Sequence, residues 1–410
     1  MDRGISGESE RLPTPEGRFD TEEMEEKYFL KATNKEAFED SDEDEGRAIC
    51  SIITPAFPPG CPVVYTETIK FARDPTTNLK IFNDTYLVIK EIGDGSFSQV
   101  KVIKRISDGQ QFALKVYNKL SLESQKKIDF DTGKWTNLLE RAEREILAWS
   151  HMVGHKHVAE LYEIAEQSGK QHLYLRSELG DLGHPANFDC KTRVFAWNPE
   201  VLKRLNELGL SNKDDAVKNF FSQMLSGMEY MHSRGVAHRD IKLENLVITK
   251  ELRLLWIDFN STKPFDDETL FTEYEGTLHY AAPECLWGLA PGYSPEKADV
   301  WALGVCLYAL HFGCLPLDIN PESPDLVGNE YAYEMDMNIK IRDHPIDFRI
   351  EIVDPLLEDL LKHMLNKSAE DRYTVAQVRA HKYLESVKQL PFQLELAKTP
   401  ATTPSTSTEQ

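Results

Sequence analysis

The sequence predicts an α+β protein of two lobes, a strand-rich first part and a mainly helical second part. Two observations carry this expectation. Between residues 85 and 117, β-branched and aromatic residues recur in short runs interrupted by glycine; beyond residue 213, apolar residues fall at helical spacing over long stretches. A third is Asp108-Gly109, a two-residue hairpin signal between two of the runs.

Taken in order, residues 1–80 read as an acidic tail without sustained periodicity. They hold the acid run of residues 39–45 and the proline cluster from Pro55 to Pro62. Strands are expected at 85–92, 99–103 and 111–117, a helix at 140–151, then strands at 161–166 and 172–178. Helices follow at 214–234, 295–312 and 355–367. The expected organisation is a tail over 1–80, one two-lobed domain over 81–386 divided near residue 178, and a flexible tail over 387–410. The apolar run of residues 300–317 contains His311 and falls short of the roughly 20 residues a spanning helix needs, so it reads as a buried core helix.

The chain has 410 residues, with 47 Lys and Arg against 68 Asp and Glu, a formal charge of −21. Hydrophobic residues at 41% suffice for a core, which excludes a wholly disordered chain. The acidic balance argues against nucleic-acid and membrane partners, since both select cationic surfaces. Residues 1–50 alone carry 16 acids and 7 bases, a net of −9, leaving −12 for the rest. The six cysteines form no C-x-x-C pair, and the start MDRGISGESE is polar. The expectation is an intracellular protein with reduced thiols, cytoplasmic, with the nucleus as alternative.

Gly93-Asp94-Gly95-Ser96-Phe97-Ser98 lies between two strands rather than opening a helix. That context suggests a hairpin lid whose backbone N–H groups approach phosphates, although a plain glycine turn reads equally well. Lys115 sits on the third strand, where an isolated lysine is ordinarily a solvated charge. The stronger signal is His238-Arg239-Asp240-Ile241-Lys242-Leu243-Glu244-Asn245, followed by a strand, then by Asp258-Phe259-Asn260 after another strand. Two acids, a lysine and an asparagine at these offsets are poorly explained as an ordinary charged hairpin.

This set resembles the motif order of the eukaryotic serine/threonine protein kinases from about Tyr86 to Leu384. The resemblance implies the bilobal protein kinase fold, with ATP and Mg2+ as cofactors and protein substrates as partners. Asp240 would orient the acceptor hydroxyl and take its proton, Lys242 would contact the γ-phosphate, and Asn245 and Asp258 would be the magnesium ligands. Lys115 would neutralise the α- and β-phosphates, held by a carboxylate; Glu145 is preferred, with Glu143 and Glu140 as competitors. The residues from Gly93 to Ser98 would cover the phosphates. Ile92, Val100, Ala113 and Leu246 would enclose the adenine, Ser177 would act as gatekeeper, and Glu178 and Gly180 would supply backbone hydrogen bonds at the hinge.

Further along, Thr277 would bond Asp240 and Lys242, Glu284 would pair with Arg372, and Asp299 would bind the catalytic-loop backbone. Two positions depart from the family pattern. Ser98 stands for the third loop glycine, and Asn260 for the glycine after Asp258-Phe259, where asparagine tolerates left-handed backbone. A nucleotide-binding scaffold without transfer is the alternative reading. Lys115 and Glu145 stand 30 residues apart, leaving room for an insert over 118–137. This and the hinge resemble the calcium/calmodulin-dependent protein kinase kinase branch, implying other protein kinases as substrates. Calmodulin itself is not expected, because residues 386–399 offer only Lys388 and Lys398 as bases. Residues 189–210 exceed the branch pattern without a reading. Thr269 and Thr272 are available for phosphorylation and pairing with Arg239; alternatively Asp266, Asp267, Glu268, Glu273 and Glu275 already supply the charge.

Overall fold

The β-rich runs pair as a meander at the centre of a larger sheet. The computed structural model describes residues 56–390 except 95–97, 130–133, 211, 267, 287–291, 320–325, 327, 347–353 and 388–389. Strands β1 (Val64–Thr66), β2 (Phe71–Arg73) and β3 (Lys80–Phe82) precede the meander of β4 (Tyr86–Asp94), β5 (Ser98–Arg105) and β6 (Gln111–Asn118). After helix α1 (Lys119–Ser124), the hairpin β7 (Lys126–Asp129) and β8 (Lys134–Asn137), and helix α2 (Leu138–Met152), the chain adds β9 (Leu161–Glu166) and β10 (His172–Ser177). The sheet order is β1-β9-β10-β6-β5-β4-β3-β2. Gly109, at φ 76°, turns β5 into β6 as its Asp-Gly signal requires.

The expected tail over 1–80 is therefore corrected in its last part. β1 pairs in parallel with β9, and β2 pairs with β3, which in turn pairs with β4. Phe57, Val63 and Tyr65 pack against the main core, so apolar burial rather than periodicity fixes this stretch. The acid run of 39–45 lies outside the described residues. At the other end, Leu390 is fully buried, so the expected C-terminal tail begins in contact with the core.

The second lobe is built on α3 (Pro199–Glu207), α4 (Lys213–Ser233), α5 (Pro295–Phe312), α6 (Glu330–Asp343), α7 (Pro355–Met364) and α8 (Val375–Arg379). Local signals set their limits. Asn212 and Ser294 cap α4 and α5 with their side-chain oxygens, Pro295 opens α5, and Thr374 with Gln377 forms a capping box. Gly313, left-handed at φ 75°, ends α5. α5 is buried along most of its length, which is why the sequence shows an apolar run there. Among the described residues, no helix is long and apolar enough to cross a membrane.

Short antiparallel pairs carry the functional loops: the hairpins β11 (Ala186–Asp189) with β12 (Val194–Trp197) and β14 (Leu246–Ile248) with β15 (Leu254–Trp256), the latter enclosed in sequence by the pair β13 (Val236–Ala237) and β16 (Lys263–Pro264). Residues 189–210, which had no reading, thus form the second strand of a hairpin and helix α3. Trp256 is fully buried, and a Cβ on Gly227 of α4 would stand 2.3 Å from its ring. Only glycine lets α4 lie this close beneath the β14–β15 hairpin.

Candidate active site

The β6 strand sets Lys115 on the central part of the sheet, and α2 aims Glu145 at it. Lys115 Nζ donates to Glu145 Oε1 at 2.7 Å and to Asp258 Oδ1 at 2.9 Å. Glu145 is 1% exposed, while Glu140 belongs to the first turn of α2, its N–H bound to the Asn137 cap; among the three candidates it is Glu145 that meets the lysine. Burial alone would lower Lys115, but Asp258 and Glu145 outweigh it and hold the ammonium well above the usual lysine range. Burial likewise works to raise Asp258, and Lys115 outweighs it, keeping that carboxyl below its usual value. Burial pushes Glu145 up as well, yet with an ammonium at 2.7 Å it is the carboxylate of the pair.

Sequence reading missed Tyr117. Its hydroxyl donates to Glu145 Oε2, so lysine and tyrosine together occupy both oxygens of the carboxylate. The signal was available: residues 115 and 117 share a face of the same strand. It also missed Trp149, four residues beyond Glu145 on α2. The ring of Trp149 lies 5.5 Å from that of Phe259, which lies 5.7 Å from His238. This cluster of tilted rings joins α2, the 258–260 segment and the catalytic loop.

The loop between β13 and β14 gathers the other polar groups. Lys242 Nζ is 2.8 Å from Asp240 Oδ2 and donates to Thr277 Oγ1 at 2.9 Å. Thr277 Oγ1 donates to Asp240 Oδ1 at 3.0 Å, and Asn245 Nδ2 donates to Asp240 Oδ2 at 3.0 Å. The expected links of Thr277 are therefore present in the geometry. Asp299 accepts from the backbone N–H groups of His238 and Arg239, both at 3.1 Å, and from His232 Nε2 at 2.8 Å. Arg372, buried against the Trp301 ring, donates to both Glu284 oxygens at 2.5 and 2.8 Å.

Arg239 and Asp258 adopt left-handed backbone, φ 66° and 63°, a conformation that costs energy in non-glycine residues and clusters at functional sites. Asn260 is not among the residues with positive φ. The sequence argument that asparagine suits a left-handed position here is corrected: the strained residue is Asp258, two positions earlier. Asn260 instead accepts a hydrogen bond from Ser261 Oγ at 3.0 Å.

The nucleotide candidates are distributed over both lobes. Ile92 is half exposed on β4, Val100 pairs with Gly93 and Lys115, and Ala113 pairs with Val102 and Ser177. Leu246 is fully buried at the start of β14. Glu178 follows β10; its N–H is bound to the Glu160 carbonyl at 2.8 Å and its carboxylate pairs with Arg253. A Cβ on Gly180 would stand 2.4 Å from the Val247 side chain, so this hinge position excludes other residues. Ser98 opens β5, the Asp94 backbone closes β4, and Gly95, Ser96 and Phe97 lie outside the described residues. Asn245 and Asp258 offer hard oxygen donors, and two protein donors completed by phosphate oxygens fit Mg2+ in a nucleotide site.

A lysine held by a helix carboxylate, an aspartate in a polar loop and two oxygen donors between two lobes define a phosphotransferase architecture. Residues 86–384 match the protein kinase domain family, and the chain belongs to it. A probable serine/threonine-protein kinase of Dictyostelium discoideum is 27% identical over 304 residues, covering 74% of this chain and 38% of that protein. The fatty acyl-CoA synthetase and RNA processing-associated kinase 1 of Saccharomyces cerevisiae is 30% identical over 307 residues, 73% of this chain and 32% of its own length. The serine/threonine-protein kinase TOS3 of the same yeast is 27% identical over 362 residues, 84% and 59% of the two chains. The chain thus spans a third to three-fifths of these relatives. Its kinase domain is similar to those of serine/threonine-protein kinases.

Proposed function

We propose that the chain transfers the γ-phosphate of ATP to serine and threonine hydroxyls of proteins. The observation that carries the reading is the pair of adjoining clusters, Lys115–Glu145–Asp258 and Asp240–Lys242–Asn245–Thr277. Phosphoryl transfer asks the protein mainly for positioning and charge neutralisation. Lys115 holds the α- and β-phosphates; Asp240 orients the acceptor hydroxyl and receives its proton; Lys242 steadies the transferring group. Asn245 and Asp258 would hold Mg2+, which would supply neutralisation of phosphate charge. The groups that would be missing from a non-catalytic scaffold are all here, which favours transfer over the scaffold alternative.

An upstream role, phosphorylation of activation loops of other kinases, is supported by the presence of an insert over 118–137 and by the resemblance of the hinge. The decisive assay is transfer of labelled phosphate from Mg-ATP to a generic protein substrate. Wild type should transfer and Asp240→Asn should not; transfer surviving that substitution sinks the mechanism. A phosphoproteomic comparison of the same two proteins in cells tests the upstream role, which predicts that kinase activation loops lose phosphate.

A further inference from the structure

The β11–β12 hairpin, in the stretch that exceeds the branch pattern, reaches the segment next to the base. Its turn ends on Arg193, a non-glycine residue held in left-handed backbone at φ 59°, with its N–H bound to the Asp189 carbonyl at 2.8 Å. Such backbone persists only where surrounding contacts over-determine it. Those contacts are present. The Phe195 N–H bonds the Gly313 carbonyl at 2.8 Å and Trp197 Nε1 bonds the Leu310 carbonyl at 3.1 Å, fastening the hairpin to the end of α5. The Arg193 guanidinium stacks over Phe188 and forks onto Asp318: Nε donates to Oδ2 at 2.8 Å, and Nη2 pairs with Oδ1.

The same Nη2 lies 3.0 Å from His279 Nε2, and that ring nitrogen lies 2.7 Å from the Tyr333 hydroxyl of α6. A guanidinium only donates, so in this contact His279 Nε2 is the acceptor. Side chains of Arg193, Asp318 and His279 are 17%, 20% and 18% exposed, sheltered enough for the fork to hold one geometry. His279 sits at the centre of the single turn Leu278–Tyr280, which Thr277 precedes; Thr277 in turn donates to Asp240. An acceptor hydroxyl must reach Asp240, so the peptide on either side of it runs past this turn.

We propose that Arg193 is a positioning, specificity-determining residue of the acceptor-peptide site: anchored on Asp318, it fixes His279 and the Leu278–Tyr280 turn against which the peptide flanking the acceptor lies. The inference rests on the phosphotransfer reading of Asp240. If wild type transfers no phosphate to any peptide, that reading fails; if wild type transfers and the variants below match it, only this inference fails.

The test is steady-state kinetics on a peptide substrate, with a positional-scanning peptide library. Arg193→Ala should raise the peptide KM about 10-fold and flatten the library preference at one or more positions beside the acceptor. The ATP KM and peptide-independent ATP hydrolysis should stay within about twofold. Arg193→Lys should not rescue, since an ammonium cannot reproduce the fork. Asp318→Ala should give the same profile, and the double variant should add little further. Should Arg193→Ala lose its fold, His279→Ala, which leaves the hairpin's own ion pair intact, must raise the peptide KM alone. Unchanged peptide KM and preference, or a parallel fall in ATP hydrolysis and thermal midpoint, overturns the proposal.

Discussion

Tyr117 donates its hydroxyl hydrogen bond to the Glu145 oxygen that Lys115 does not use. The consequence is a carboxylate satisfied on both sides inside a nearly closed site. Swinging α2 outward would leave a buried phenol without its partner and the Lys115 ammonium with Asp258 alone, so the arrangement favours the helix-in state. Tyr117→Phe is expected to lower kcat/KM for ATP about 10- to 150-fold, the range for one hydrogen bond to a charged group. The peptide KM should change little. An unaltered ATP dependence in a folded variant would show that Lys115 alone holds Glu145.

Asn260→Gly should leave phosphate transfer largely intact. Its backbone does not need glycine, since the left-handed residue is Asp258. The substitution removes one hydrogen bond from Ser261 and loosens the unfolded chain, a loss of stability of about 1 kcal/mol. A large gain in transfer rate would mean that asparagine restrains the 258–260 segment, contrary to this account.

Glu275 lies between two arginines, 3.5 Å from Arg239 Nη1 and 3.4 Å from Arg141 Nη2. It bridges the catalytic loop to α2, the kind of link a phosphate on the segment would make. Phosphatase treatment should therefore leave activity unchanged within about twofold, while Glu275→Ala should reduce it about 10-fold. The competing outcome, activity lost on dephosphorylation and regained on autophosphorylation, would point to Thr269 or Thr272.

Acid should weaken the fold through His157. Burial lowers its pKa from 6.5 to about 3, and its Nδ1 lies 3.0 Å from the Leu254 carbonyl. The unfolded chain takes up a proton on this ring near pH 6.5 and the folded chain only near pH 3, so the contribution is complete above about pH 6.5. It drains away as pH falls across that window. Thermal midpoints measured from pH 7 to about pH 4.5 should fall more steeply for wild type than for His157→Asn, and parallel curves would remove His157 as the cause.

Much of this protein was legible in its residues. Alternation and the Asp108-Gly109 turn marked the meander, helical spacing marked α4 and α5, and the offsets among Asp240, Lys242, Asn245 and Asp258 marked the chemistry. All of these are short-range patterns, set by strand and helix periods or by one loop. The structure alone decided what depends on distant partners. It selected Glu145 over Glu143 and Glu140, and added Tyr117 and Trp149. It drew residues 64–66, 71–73 and 80 into the sheet, where three-residue strands are too short to show a period. It put the left-handed strain on Asp258 rather than Asn260. And it brought Arg193, 86 positions before His279, to the turn beside the base. Chain neighbours dictate local conformation; which remote side chains share a carboxylate is fixed only when packing closes the space between them.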